Sequence, residues 1–220
     1  MKFEDIIKAI KSRYNKKNIE GMARYGINPH NTYGASIPYL RELARKIGKD
    51  HDLAQKLWAS DIHEARMLAG MVDDPELVTT KQMDDWVSEF NSWDVCDQVC
   101  SNLFRYTRFA YQKAFKWSRS SKEYVKRAGY VLMATLAVSD KDASDARLER
   151  FYPIIKRGAT DERNFVRKAV NWALRQIGKR NKKLNKSAIR TAKDILKMDS
   201  RSARWIARDA IRELNAHLGS

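Results

Sequence analysis

Cysteine, proline and glycine are scarce in this chain of 220 residues, at 2, 4 and 9. Two cysteines are too few to staple a small secreted fold. Cys96 and Cys100 sit four apart, where one helical turn stacks them on a single apolar face. With no histidine beside them they read as buried thiols rather than a metal or redox pair. The four histidines, His30, His51, His63 and His217, are scattered and form no ligand motif. His63-Glu64-Ala65-Arg66 resembles the opening of a zinc motif, but its second histidine is absent. The chain also lacks the GxxxxGK(S/T) and GxGxxG phosphate loops, HExxH, and the GxSxG nucleophile elbow. No stretch approaches the roughly 18 consecutive apolar residues of a spanning helix. The start, Met1 to Asp5, has no apolar signal region, so a soluble, cytoplasmic protein is expected.

Acidic residues are the other shortage. There are 27 Asp and Glu against 43 Lys and Arg, a net charge of +16. Such an imbalance speaks to partners rather than fold, and points to nucleic acid or an anionic surface. From Asp161 to Ser220 there are 16 Lys and Arg and 6 Asp and Glu, so this stretch alone carries +10. That concentration favours nucleic-acid contact over evenly solvated helix faces. Hydrophobic residues make up 43%, enough for a packed core and against disorder.

Alternation with period two is nearly absent, whereas helical spacing recurs throughout. The pattern predicts helices over 2–14, 36–47, 50–59, 62–72, 80–90, 92–104, 108–118, 122–138, 144–158, 163–179, 184–198 and 201–217. Helices of this length with short links read as antiparallel pairs stacked in a row, an α-solenoid of HEAT-like repeats. A single domain over 1–220 is expected, with a compact helical bundle as the structural rival.

Three segments stand out. On the predicted helix 163–179, Val166, Val170, Ala173 and Ile177 form the apolar stripe. Trp172 lies opposite it, with Lys168, Arg175 and Lys179. A large aromatic on a basic face suits stacking on nucleic acid, or else a second packing surface against the next helix. In Ser92-Trp93-Asp94-Val95-Cys96-Asp97, Ser92 is placed to cap a helix, and Trp93 and Asp97 share a face one turn apart. A carboxylate beside an indole can stabilise a cation; the plainer reading is a surface aspartate paired with an arginine. The third segment, Tyr124 to Ala128, opens a helix apolar on most sides, in which Arg127 needs a partner; Asp97 is one candidate.

Taken together, Met22-Ala-Arg-Tyr25, Trp93-Asp-Val-Cys-Asp97, Lys126-Arg127-Ala128 and Phe165-Val-Arg-Lys-Ala-Val-Asn-Trp172-Ala-Leu-Arg175 resemble the AlkD-type DNA alkylation repair glycosylases, in the same order over nearly the whole chain. The resemblance implies a superhelix of HEAT-like repeats and excision of bases alkylated at N3 or N7 from duplex DNA, with no metal or organic cofactor. It makes Asp97 the catalytic carboxylate, with Trp93 and Trp172 flanking the sugar and backbone of the lesion. It places Tyr25, Arg127 and Arg175 along the site, and the basic face adds Lys168 and Lys179 as phosphate contacts. A monomer bound to alkylated duplex DNA is expected. The alternatives are a non-catalytic HEAT-like module that recognises DNA or RNA structure, and a helical scaffold for acidic proteins.

Overall fold

The computed structural model describes residues 1–218, with side chains to Ala216; the His217 side chain lies outside that range. Every regular element among the described residues is helical. Their contacts group into two compact units, Met1–Arg108 and the chain from Phe109 onward. The first contains α1 (Phe3–Lys11), α2 (Lys16–Arg24), α3 (Ile37–Ile47), α4 (His51–Ala59), α5 (His63–Val72), α6 (Thr80–Ser88) and α7 (Trp93–Asn102), followed by a 3-10 turn at Phe104–Tyr106. The second contains α8 (Ala110–Trp117), α9 (Glu123–Ser139), α10 (Asp145–Glu149), α11 (Tyr152–Gly158), α12 (Asn164–Gly178), α13 (Lys182–Leu196) and α14 (Arg201–Leu218). None of the described helices is long and apolar enough to cross a membrane.

Local signals explain most boundaries. Asn15, Asp50, Thr79 and Asn181 each accept a backbone N–H of the first turn that follows, at 2.9–3.1 Å. Such a cap contributes about 1 kcal/mol. Two expectations are corrected. α2 was not predicted: it is nine residues long and buries none of them, and its apolar spacing extends only over Ile19, Met22 and Ala23, behind the Asn15 cap. The predicted helix 144–158 is two helices, α10 and α11, with Pro153 in the first turn of α11. Proline has no N–H for the ladder and its ring crowds the preceding turn, so a helix restarts there more readily than it continues.

In the first unit, α5 packs between α4, α3 and α7. Trp58 of α4 and Trp86 of α6 stack with ring centroids 4.2 Å apart, and Phe90 and Phe104 extend that aromatic layer. In the second unit, α9 is buried continuously from Arg127 to Ala137, and α8 and α12 pack against it. Gly129 permits the approach of α8: a Cβ there would lie 2.8 Å from Ser118 Cα and 3.0 Å from the Ala114 carbonyl oxygen.

The segment between α2 and α3 contains no regular structure, so its polar groups need partners elsewhere. Glu64, fully buried in the first turn of α5, supplies them. Its Oε1 accepts from Thr32 Oγ1 (2.8 Å) and from the N–H groups of Tyr33 (2.9 Å), Gly34 (2.6 Å) and Ala35 (3.2 Å). Asn31, at φ 49°, adds two stitches: its amide donates to the Asp61 carbonyl at 2.8 Å, and its carbonyl accepts from the His63 N–H at 3.0 Å. Glu64→Ala strands four donors, three of them buried, and is expected to cost about 3 kcal/mol or more, as each unsatisfied buried group costs about 1–3 kcal/mol. Urea unfolding checks this, with the midpoint falling while the slope stays near that of the parent.

Candidate functional site

In the first unit the residues singled out by sequence gather around the start of α7. Ser92 occupies the N-cap position, but its hydroxyl makes no cap bond; it donates to Asp94 Oδ1 instead. That corrects the simple capping expectation. Asp94 Oδ1 also accepts from the Val95 N–H at 2.9 Å, and Oδ2 lies 2.8 Å from His63 Nε2. Burial pushes the Asp94 carboxyl up, but the hydrogen bond and charge of His63, with the Ser92 and Val95 donors, outweigh it and hold the group below the ordinary aspartate range. Asp94 therefore anchors α7 to α5.

Trp93 and Asp97, one turn apart on the same face of α7, are both half-buried. Trp93 Nε1 donates to the Tyr25 carbonyl at 3.1 Å, so the indole plane is pinned from the end of α2. Tyr25 itself is 78% exposed. Cys96 and Cys100 lie fully buried on the inner side of the same helix, where the sequence placed them. Tyr25, Trp93 and Asp97 thus form one cluster, two aromatic surfaces and a half-buried carboxylate, in which the Tyr25 carbonyl holds the Trp93 indole.

In the second unit, Arg127 is buried on α9, and its Nη1 donates to the Phe165 carbonyl at 2.5 Å. Its neighbour Lys126 pairs with Asp161 at 2.8 Å. On α12, Val166, Val170, Ala173 and Ile177 are fully buried, as their spacing predicted. Trp172 does not stand free on the opposite side. It is half-buried, because α12 packs against α9, α13 and α14 and has more than one covered face. Lys168 is exposed. Arg175 and Lys179, read from sequence as DNA contacts, are engaged within the protein. Both pair with Glu213 of α14, and Arg175 Nη1 also lies 3.4 Å from Asp209. Burial raises the Glu213 carboxyl, but the hydrogen bond from Lys179 and the charge of Arg175 bring it below its ordinary value. Sequence reasoning missed Asp94, His63, Asp209 and Glu213 as partners; only the identity of buried or cap-adjacent polar residues hinted at them.

A family model described as "DNA alkylation repair enzyme" matches residues 6–214. Uncharacterized protein Lin0241 of Listeria innocua is 25% identical over 169 residues, covering 76% of this chain and 73% of that protein. A solved structure from "a new family of proteins related to the HEAT-like repeat DNA glycosylases with affinity for branched DNA structures" superposes with a TM-score of 0.80 at 19% identity, over 96% of this chain and 95% of that one. At that identity the likeness speaks for the fold, which is the HEAT-like repeat fold expected from the helix lengths.

Asp94, Asp161 and Glu213 all hold their protons less tightly in the folded chain than in the unfolded one. The stability they contribute is therefore fully present above their ordinary values of 3.8 and 4.5 and is lost as the pH falls through the depressed ones. Asp73, raised chiefly by burial, works in the opposite sense and offsets part of the loss. Denaturant midpoints should be level from pH 7 to about 5 and fall below about pH 4. Asp94→Asn should flatten that acid limb.

Proposed function

We propose a DNA glycosylase activity for this chain, which belongs to the DNA alkylation repair enzyme family: excision of purines alkylated at N3 or N7 from duplex DNA, without a metal or organic cofactor. The observation that carries the reading is the place of the Asp97 carboxylate, one turn along α7 from an indole that the Tyr25 carbonyl holds. Asp94, bound by His63, Ser92 and the Val95 N–H, fixes the start of α7, and Asp97 shares one face of that helix with Trp93. A module that only bound DNA would have no use for that placement.

The chemistry suits these groups. An N3- or N7-alkylated purine already carries a positive charge, so it leaves without a proton from the protein. The N-glycosidic bond breaks with its electron pair going to the base, which becomes neutral, and positive charge develops on the sugar. The Asp97 carboxylate stabilises that charge, orients a water towards the anomeric carbon and accepts the proton that the water releases. The Trp93 indole adds cation–π attraction. In the second unit, Trp172 offers a half-buried aromatic surface to the DNA, and the exposed Lys168 takes a phosphate directly. Arg175 and Lys179 reach phosphate only by exchanging Glu213 for it. Arg127, braced on the Phe165 carbonyl, stiffens the segment from which α12 begins.

Single-turnover release of N7-methylguanine or N3-methyladenine tests the assignment. Asp97→Asn keeps the size of the side chain and removes its charge; it should bind lesion DNA as the parent does and excise at least about a hundredfold more slowly, the loss typical of removing one charge-stabilising group. Equal rates for parent and variant would sink the role of Asp97. The second reading, DNA binding without excision, is favoured by the affinity for branched DNA described for the structural neighbour's family. A parent protein that binds duplex tightly yet releases no base supports that reading.

The Glu213 clasp makes a separate prediction. Glu213→Gln removes the acid that holds two cations, so undamaged duplex should be bound more tightly and with a steeper salt dependence, by about one unit in log–log slope. Lys168→Ala should change the slope the other way. Anisotropy titrations across a salt series measure both.

A further inference from the structure

The excess of positive charge in the last 60 residues has one outlet that the site above does not use. On α14, Arg201, Arg204, Trp205, Arg208 and Arg212 fall within an arc of about 100° when placed at helical spacing. They line a shallow groove together with Asp209. The opposite side of the helix is core: Ala203, Ile206, Ala207, Ala210 and Leu214 are fully buried. The two acids of α14 sit to one flank, turned towards α12. Glu213 binds Arg175 and Lys179 there, and Asp209 accepts from Asn171 Nδ2 at 2.6 Å. Along the arginine arc the neutralisation is partial. Arg212 meets Asp209, and Arg204 meets the fully exposed Asp199 at 3.2 Å. Arg208 has neither hydrogen bond nor ion pair among the described residues.

Trp205 interrupts this arc. It is 38% exposed, with the Arg167 guanidinium 5.0 Å from its ring centroid. An indole braced by a guanidinium and still open to solvent is a stacking platform, and arginines along the same line track a phosphate backbone. From Arg201 to Arg212 the stripe runs about 16 Å, roughly the reach of the shortest single-strand sites, about four nucleotides. Bases inside an intact duplex cannot stack on a side chain without being unpaired, so the platform suits unpaired nucleotides. Trp205 is the single large apolar side chain on the arc, too little to seat in lipid.

We propose that the Arg201–Arg212 face of α14 is a single-stranded DNA site, in which Trp205 stacks on an unpaired base and the arginines hold its flanking phosphates. It rests on the reading that the partner is DNA, and its test needs no base excision. The probes are a blunt duplex, the same duplex carrying a short oligothymidine tail, and the oligothymidine alone, each followed by fluorescence anisotropy at moderate salt. The parent should bind the tailed duplex about tenfold more tightly than the blunt one, the gain expected from stacking a single base. Trp205→Ala should bring that ratio close to one. Arg208→Gln, at an exposed position that cannot disturb the core, should weaken binding of oligothymidine and lower its salt slope by about one. Equal affinity of the parent for blunt and tailed duplex overturns the proposal. So does a preference for the tail that survives in Trp205→Ala. Binding of phosphatidylserine vesicles without any binding of oligothymidine overturns it as well. A parent that excises methylated bases but ignores the tail refutes only the α14 site, whereas one that prefers the tail but excises nothing leaves the site standing and removes the glycosylase reading.

Discussion

The first turn of α5 places two buried polar residues side by side, and the candidate site of the first unit depends on both. His63 reaches forward to Asp94 and fixes the start of α7. Glu64 reaches back and gathers the N–H groups of Tyr33, Gly34 and Ala35. Tyr25 lies before that segment, and its carbonyl receives the indole N–H of Trp93. Two chain segments far apart in sequence, 25–35 and 92–97, are thus tied to one helical turn and then to each other. Buried groups of this kind tolerate little displacement, because moving any of them strands a donor or a charge in a dry interior. The stiffness that results is what a charge-stabilising carboxylate requires, since it acts only if it need not reorganise as the reaction proceeds.

The second unit handles charge differently. Its acids do not neutralise the basic surface evenly; Asp161 collects Lys126 and Arg163, and Glu213 collects Arg175 and Lys179. The first ties α9 to the segment before α12, and the second ties the end of α12 to α14. Lys168 and the outward arginines of α14 are left towards solvent. A net charge of +16 is therefore not a uniform coat. Part of it is structural, and the remainder is available to a polyanion, whose binding gains from the release of condensed counterions.

On the proposed reading, the pairing of Arg175 and Lys179 with Glu213 also bears on how DNA affinity is tuned. A cation held by an internal acid contributes to DNA binding only the difference between phosphate and carboxylate, which is smaller than its full attraction to phosphate. In that reading such a clasp would weaken non-specific binding while preserving the basic surface for a ligand that brings phosphate into the right geometry, a form of discrimination built from an unfavourable exchange.

The amino-acid sequence by itself determined what depends on neighbours along the chain. The helical class followed from apolar residues at a 3.6 period and from the scarcity of glycine and proline. The burial of Cys96, Cys100 and the Val166–Ile177 stripe followed from the same spacing, as did the common face of Trp93 and Asp97, because residues four apart meet on any helix. α2 escaped, since its apolar spacing extends only from Ile19 to Ala23 in a nine-residue helix, and Pro153 divided a segment whose apolar pattern ran on. What only the tertiary structure decided is which distant residues meet. Asp94 is one case: His63, thirty-one positions away, binds it and ties α7 to α5. Trp172 looked free because its own helix offers a single stripe, and it is half-buried because several other helices pack against α12. Arg175 and Lys179 looked available because the carboxylate that holds them arrives on α14. Periodicity reports the face a side chain occupies. The partner it finds there is set by the packing of whole helices, which depends on the summed shape and charge of surfaces that no short window of sequence contains.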